Sequence, residues 1–312
     1  MEKSELSQFI KAKALEVGFT KAGISGVQPF EEESGRLREW LEEGMHGRMH
    51  YMERSEDRRN DVRNILPSAK SILSLALNYY HPTEQEPQFP KISRYAWGTD
   101  YHEVIPPMLD RLLGEIRAVA PNLEAKSYTD TGPLFEKAIA QRAGLGWIGK
   151  HSNLITREVG SWVFLAEILL DLELTPDFPG VDLCGTCTRC IDACPTNAIL
   201  EPYKVDATKC ISYLTIELKP EHSIPAPQAG QMENWIYGCD ICQDVCPWNR
   251  FEKPTEIEAF SPRLANLELT IEQIDQMEQT EFSERFRKSP IKRTKLAGLK
   301  RNAKVLSVGK NT

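Results

Sequence analysis

The sequence has no long apolar run. A helix that crosses a membrane needs about 18 consecutive apolar residues, and the best candidate here, residues 162–170, is interrupted by Glu167. The N-terminal segment mixes charged residues into an amphipathic pattern and lacks the apolar core and small-residue cleavage site of a secretory signal. We therefore expect a cytoplasmic protein with no membrane partner.

Two common nucleotide-binding motifs lack support. No G-x-G-x-x-G follows a strand-like segment, and no G-x-x-x-x-G-K-[ST] occurs. Such glycine-rich loops cradle the phosphates of dinucleotides and nucleoside triphosphates. The sequence therefore gives no reason to expect a dinucleotide fold or a P-loop.

Cysteine is absent from the first 183 residues, and all eight cysteines fall between Cys184 and Cys246. Disulfides are not favoured in a chain without an export signal, because the cytosol keeps thiols reduced. The clustering therefore indicates metal binding, by either zinc or iron–sulfur.

The cysteine spacing favours iron–sulfur. Residues 184–195 read C-x2-C-x2-C-x3-C-P, the run found in bacterial ferredoxins. Residues 239–247 repeat the C-x2-C-x3-C-P ending, and the remaining ligand of this second group is displaced upstream to Cys210. Two zinc sites would also use eight cysteines, but zinc ribbons need neither a third closely spaced cysteine nor a repeated Cys-Pro.

In this motif the fourth cysteine of a run reaches the neighbouring cluster. We therefore predict two [4Fe-4S] clusters with crossed ligands, which implies electron transfer through the pair. The predicted ligands are Cys184, Cys187, Cys190 and Cys246 for one cluster, and Cys194, Cys210, Cys239 and Cys242 for the other.

Positive charge is scarce over most of the chain. Residues 1–284 carry 28 basic against 45 acidic residues, a balance of −17, whereas residues 285–312 contain ten Lys or Arg residues and no acid. A basic tail on an acidic body is a local electrostatic footprint for a polyanion. A solvated, lysine-rich terminal helix would give the same pattern.

Strand-like and helical segments alternate before the cysteines. Residues 71–79 and 160–170 have the apolar character of buried strands, and residues 134–143 carry a helical pattern. Proline-rich loops flank the cysteine region. We therefore predict an α+β fold. Its parts would be an N-terminal α/β domain at 1–175, a ferredoxin-like double-cluster domain at 176–255 and a short basic helical tail at 256–312.

Several segments, in order along nearly the whole chain, resemble those of epoxyqueuosine reductases. They are EWLEEGMHG at 39–47, YM at 51–52, LPSAKS at 66–71, WGTDYH at 97–102, DTG at 130–132, QRAGLG at 141–146, KCISYLT at 209–215 and YGCD at 237–240. The resemblance implies an oxidoreductase that reduces the epoxide of epoxyqueuosine at the tRNA wobble position to the alkene of queuosine, with loss of water.

The resemblance also implies a cobalamin in the N-terminal domain, bound without an axial histidine beside a cluster that reduces it. The D-x-H-x-x-G motif of many other cobalamin proteins begins at residues 100–102 but has Ile105 in place of the glycine, in agreement with this. Matched residue by residue, the cobalamin contacts of the family fall on Arg59, Ser93, Asp130, Leu154, Thr156, Leu165, Ser212 and Asp240.

Asp130 matches the proton donor of the family and is the candidate catalytic residue. A carboxyl group helps to expel an epoxide oxygen only if it is protonated near neutral pH, which requires burial or a nearby like charge to raise its pKa. Without the family context, an aspartate beside Thr-Gly-Pro would be interpreted as an Asx-turn or a helix N-cap.

The implied partners are tRNA that contains epoxyqueuosine and an unidentified low-potential electron donor, and we expect a monomer. Many family members continue into a C-terminal helical repeat that helps to hold tRNA, whereas this chain ends at Thr312. We therefore expect the basic tail to bind tRNA. The candidate contacts are Lys292, Arg293, Lys295, Lys300 and Arg301.

Two other interpretations stay open at this point. Reductive dehalogenases also pair cobalamin with two ferredoxin-type clusters, but they usually carry a twin-arginine export signal, which this N-terminus lacks. A plain electron carrier with a docking domain would explain the clusters but not the DTG at 130–132 or the other matching segments. Failure to bind any corrinoid would favour the carrier.

Overall fold

The structure, a computed structural model, describes residues 2–309. The helices in this range are α1 (Lys3–Val17), α2 (Glu31–Glu42), α3 (Glu56–Asn60), α4 (Tyr101–Val119), α5 (Glu136–Arg142), α6 (Arg189–Asp192), α7 (Ile211–Ile216), α8 (Ala226–Ala229), α9 (Ile241–Asp244), α10 (Leu264–Leu267), α11 (Ile271–Gln276), α12 (Gln279–Arg285) and α13 (Lys295–Gly309). The strands are β1 (Lys21–Ser25), β2 (Ser71–Asn78), β3 (Lys91–Ile92), β4 (Ala125–Tyr128), β5 (Trp147–Ile148), β6 (Leu154–Ile155), β7 (Val163–Leu170), β8 (Ile199–Glu201), β9 (Lys204–Val205) and β10 (Trp235–Tyr237).

An antiparallel sheet with the strand order β1-β2-β7-β4 forms the centre of the N-terminal region. The middle strands β2 and β7 pair over their full length, from Ser71 opposite Leu170 to Asn78 opposite Val163. Every residue of β2 is buried, as its continuous apolar run predicts. The two predicted strands, the predicted helix and the α+β class are confirmed, with the helix present as α5.

Helices cover both faces of this sheet. On one face α1 and α4 bury Ile10 and Leu109 against Leu75 of β2. On the other face α5 packs Ile139 against the sheet. Asp100 is the N-cap of α4, and its side chain accepts a hydrogen bond from the backbone N–H of His102 at 3.0 Å. The cap fixes the first turn of α4, which contributes to the site described below.

A second core joins the N-terminal region to the tail. It packs Trp97 against Tyr237 and Leu299, and the Asn302 side chain of α13 donates to the Ile236 carbonyl at 2.9 Å. β3 also pairs in parallel with β10. The three-part division at residues 176 and 256 stays a prediction, because this core crosses both boundaries.

Across residues 2–309, no helix combines the length and the apolar character that a membrane span requires.

Candidate cluster-binding and catalytic site

Four thiols from both cysteine runs line one cavity of about 220 Å³, and they are those of Cys184, Cys187, Cys190 and Cys246. Next to them lie two buried nitrogen atoms, Trp147 Nε1 and His151 Nε2, that have no hydrogen-bond partner among residues 2–309. Sulfurs of iron–sulfur clusters accept hydrogen bonds from such groups. The cavity therefore fits a cluster in both its thiol donors and its unsatisfied polar atoms.

The other four thiols converge near the start of α7, and they are those of Cys194, Cys210, Cys239 and Cys242. Burial raises the pKa values of Cys210, Cys239 and Cys242, and repulsion between neighbouring thiolates raises them further. A metal would stabilise these groups as thiolates. Cys242 and Cys190 are close enough to interact electrostatically, so the two sets of thiols adjoin each other.

Asp130 lies in the short connection between β4 and α5, with a left-handed φ of 58°. Its backbone N–H donates to Glu136 Oε1 at 2.6 Å. Its side chain is half-exposed, and Oδ2 lies 3.5 Å from Nε2 of His102, while His102 Nδ1 lies 2.8 Å from Asp100 Oδ1. The imidazole of His102 therefore lies between two carboxylates, with a hydrogen bond to Asp100 and a longer ion-pair contact with Asp130.

The position of His102 between the two carboxylates decides whether His102 or Asp130 holds the proton that they share. Hydrogen bonding to the His102 imidazole lowers the pKa of Asp130 from its ordinary value, although burial acts in the opposite direction. In turn, Asp100 first and Asp130 second raise the pKa of His102 to about 9. The expectation of a raised Asp130 pKa is therefore wrong, because a cationic neighbour outweighs burial. At neutral pH the proton of the pair resides on His102.

Some of the residues that match the cobalamin contacts of the family lie around the end of the sheet where Val163 begins β7. We call this the open end of the sheet. Leu154 and Leu165 belong to one apolar cluster, and the nearby Thr156 hydroxyl donates to the Gly160 carbonyl at 2.9 Å. Although β7 is a middle strand, Leu165 and Val163 are only half-buried, with Ala140 of α5 in the apolar cluster against which they pack. An uncovered apolar surface on a central strand fits a large, partly apolar cofactor.

The remaining matched residues lie nearer the clusters or apart from them. Ser93 donates its hydroxyl to Asp240, and burial raises the pKa of Asp240 to about 6. The Ser212 backbone N–H points to the Cys210 thiol at the start of α7. Arg59 is buried, with its guanidinium bonded to backbone carbonyls of its own segment.

The positively charged side chains of the tail differ in their exposure and in whether they bind other groups of the protein. Lys292 and Lys295 are exposed, and Lys300 is half-buried. Arg293 forms a two-point salt bridge with Glu217, with Nη2 2.9 Å from Oε2. Its charge also helps to lower the pKa of Asp130, which places Arg293 beside the candidate catalytic residue.

The Arg301 side chain forms hydrogen bonds within the fold. Its guanidinium donates to the backbone carbonyls of Leu214 at 2.7 Å, His222 at 3.0 Å and Lys219 at 3.3 Å, which ties α13 to the end of α7. These bonds use most of the donors of Arg301, and its contact with tRNA stays a prediction.

Sequence reasoning did not identify His102, which faces Asp130, or the acids Glu136 and Glu167, which are in contact with each other behind it. In the sequence, Asp100-Tyr-His stands out only as an incomplete motif, and Glu167 only as an interruption of an apolar run. A single acid inside a strand that is otherwise apolar was the available signal, because an acid is buried in a sheet only when a partner or a function requires it.

The fold and the thiol sets define an iron–sulfur protein in which a double-cluster module is joined to an antiparallel α+β domain. Residues 183–249 match the family model described as "4Fe-4S double cluster binding domain", and residues 59–131 match "Epoxyqueuosine reductase QueG, DUF1730". An epoxyqueuosine reductase of Cellulophaga algicola is 49% identical over 300 residues, which cover 96% of this chain and 97% of that protein.

Solved structures agree with the sequence match. A crystal structure of selenomethionine-labelled epoxyqueuosine reductase superposes with a TM-score of 0.91 at 30% identity, covering 99% of this chain and 83% of that one. An epoxyqueuosine reductase with an epoxyqueuosine-modified tRNA-Tyr stem loop superposes with a TM-score of 0.89 at 31% identity, covering 96% and 80%. This chain belongs to the epoxyqueuosine reductase family, as its motifs indicated.

Proposed function

We propose that this chain reduces epoxyqueuosine to queuosine at the wobble position of tRNA in the cytoplasm, the last step of queuosine biosynthesis. Cobalamin, reduced through the two [4Fe-4S] clusters, would be the working cofactor. The observation that carries the proposal is the match of nearly the whole chain to epoxyqueuosine reductases. We further propose that the protein acts as a monomer supplied by a low-potential electron donor.

Bound cobalamin would supply low-potential electrons to the substrate carbon. Most of the residues proposed to hold it lie around the open end of the sheet or beside the second thiol set, and Arg59 lies beside Tyr51, which also interacts with Asp130. The proposed residues are Arg59, Ser93, Asp130, Leu154, Thr156, Leu165, Ser212 and Asp240. Leu154 and Leu165 provide apolar contact, and the Ser93–Asp240 pair provides a fixed polar group.

The protein itself must deliver protons. Conversion of an epoxide to an alkene and water takes up two electrons and two protons. His102 holds a proton at Nε2, 3.5 Å from Asp130 Oδ2, and the half-exposed Asp130 carboxyl passes it to the departing oxygen. Asp130 thus acts as the immediate donor even though its own pKa is low, because His102 reloads it.

Turnover should fall as pH rises through about 9, where His102 loses its proton. In Asp100→Asn the largest cause of the raised pKa is removed, so the fall should move toward 6.5, the ordinary histidine value. Asparagine is as good an N-cap as aspartate, so α4 should begin normally. The measurement is the pH profile of single-turnover conversion. An identical alkaline limb in both proteins would contradict this role of His102.

Exposed cations of the tail are proposed to meet the tRNA backbone. Lys292, Lys295 and Lys300 belong to the same segment as Arg293, which lies beside Asp130. A phosphate backbone bound at this segment would therefore pass close to the catalytic carboxylate. Since the body of the protein is acidic, this basic segment would also steer tRNA to the site.

Replacing Lys292 and Lys295 together with glutamine should raise the apparent KM for tRNA. Each lysine that contacts a phosphate releases counterions, so the slope of log affinity against log salt should become shallower by about 1 per lost contact. The measurement is tRNA binding over a salt series. Lys3→Gln with Lys70→Gln is the matched control, since both lysines lie near Glu173 at the other end of the sheet. Equal salt slopes in the two double variants would exclude the proposed contact.

The decisive experiment supplies anaerobically purified protein with cobalamin, a chemical reductant and tRNA that contains epoxyqueuosine. We expect queuosine to appear in the tRNA. Protein that carries both clusters and cobalamin but forms no queuosine would refute the proposed function. Protein that carries clusters but binds no corrinoid would instead be an electron carrier.

A further inference from the structure

We propose that Glu136 is a positioning residue for Asp130. Its carboxyl, anchored on the buried Glu167, holds the loop between β4 and α5 in the conformation that presents the Asp130 carboxyl to His102. The inference rests on the proposed function in one respect, because it takes Asp130 as the proton donor. The loop conformation itself can be tested without turnover.

The backbone at Asp130 is held by hydrogen bonds from outside the residue itself. Its φ of 58° lies in the left-handed region, which aspartate enters less freely than glycine. Two side chains fix the loop from outside: the Thr129 hydroxyl donates to the Leu165 carbonyl at 2.9 Å, and Glu136 Oε1 accepts the Asp130 N–H at 2.6 Å. The second bond acts on the Asp130 backbone directly, and bonds to a carboxylate are stronger than bonds between neutral groups.

Glu167 explains why Glu136 stays in place. Glu167 is fully buried in the middle of β7, where its Oε1 accepts the Ser74 hydroxyl at 3.3 Å and its Oε2 has no partner with a hydrogen to donate among residues 2–309. Glu136 and Glu167 are in hydrogen-bonding contact. Two carboxyl groups in contact cannot both ionise, so one proton must lie between them.

The environment places that proton on Glu167. Burial raises the pKa of Glu167 well above its ordinary value, whereas that of Glu136 rises to about 7. The other charged groups that act on Glu136 are Asp130 and Lys137, and the Lys137 ammonium donates to the Ser152 carbonyl at 2.7 Å. Protonated Glu167 can therefore donate to Glu136, while Glu136 accepts the Asp130 N–H. A chain of hydrogen bonds thus runs from the buried Glu167 in the sheet to the half-exposed Asp130 backbone.

A simpler role for Glu136 is that of an acid in the first turn of α5, where it would favour the helix dipole. That role predicts a loss of stability but no specific effect on the Asp130 loop. The two roles therefore differ in amide exchange of residues 129–135 and in the way that kcat and KM change.

The test compares Glu136→Ala, Glu136→Gln and the surface control Glu201→Gln in protein that carries its clusters and cobalamin. In Glu136→Ala we expect about tenfold faster hydrogen exchange in the peptide that spans residues 129–135, because the acceptor is lost. We also expect a 10- to 100-fold lower kcat at unchanged KM for tRNA, since misplacement of a catalytic group by about 1 Å has effects of this size. Glu136→Gln keeps an acceptor and should recover most of both properties.

Glu167→Leu and Glu167→Gln provide an independent arm. Leucine cannot donate to Glu136 and should loosen the same peptide, whereas glutamine can donate and should not. Unchanged exchange in residues 129–135 of Glu136→Ala would overturn the proposal, as would equal losses of kcat in the alanine and glutamine variants. Faster exchange in Glu136→Ala, with no queuosine formed by the wild type, would leave the loop assignment standing and refute the proposed function alone.

Discussion

Asp130→Asn should lose most turnover while both clusters and the cobalamin remain bound. An amide has nearly the shape of the carboxyl group but cannot pass a proton from His102 to the departing oxygen, and such a loss commonly lowers kcat by about 100-fold or more. The loss should appear in single-turnover conversion of epoxyqueuosine, with the KM for tRNA nearly unchanged.

Asparagine is a better test here than alanine. Asp130 has a left-handed backbone, which asparagine adopts at least as readily as aspartate and alanine does not. Asp130→Ala should also be inactive, but part of its effect would come from the backbone. Asp110→Asn, on the exposed face of α4, is the matched control and should keep wild-type activity. Near-normal turnover in Asp130→Asn would show that Asp130 only shapes a turn.

The parts of the fold that could be predicted are those that depend on local pattern. The apolar runs at 71–79 and 160–170 predicted β2 and β7, because strands buried on both faces need no polar alternation. The strand order and the pairing of β3 with β10 could not be predicted, because both join segments distant in the chain. The same holds for the core that joins Trp97 to the tail.

The same division applies to the candidate site. The spacing of the cysteines predicts the clusters because each run is a local loop that wraps its metal. The pair of Asp130 and His102 forms only because the end of β4 lies beside the first turn of α4, so the direction of the Asp130 pKa shift could not be foreseen. The hydrogen bonds of Arg301 could not be foreseen for a related reason: the sequence shows a charge but not the backbone carbonyls to which it donates.

The crossed assignment of the clusters makes Cys246→Ala the second variant with a large expected effect. Wild-type protein reconstituted without oxygen should hold about eight irons and eight sulfides, as two cubanes require. Cys246 comes from the second run but lines the cavity of the first-run thiols. Its loss should therefore remove or degrade the cluster on Cys184, Cys187 and Cys190 and stop electron flow to the substrate. Stoichiometric zinc in place of iron would refute the assignment altogether.

Double variants separate crossed from uncrossed ligands without any need to tell the clusters apart by spectrum. If the ligands cross, Cys184→Ala with Cys246→Ala removes two ligands from one cluster, and about four irons should remain. Cys239→Ala with Cys246→Ala removes one ligand from each cluster, so both should be damaged and the iron content should approach zero. Uncrossed ligands predict the reverse, because Cys239 and Cys246 would then share a cluster. Iron and sulfide analysis of the two double variants therefore decides the assignment, and the grouping of thiols in the structure favours the crossed outcome.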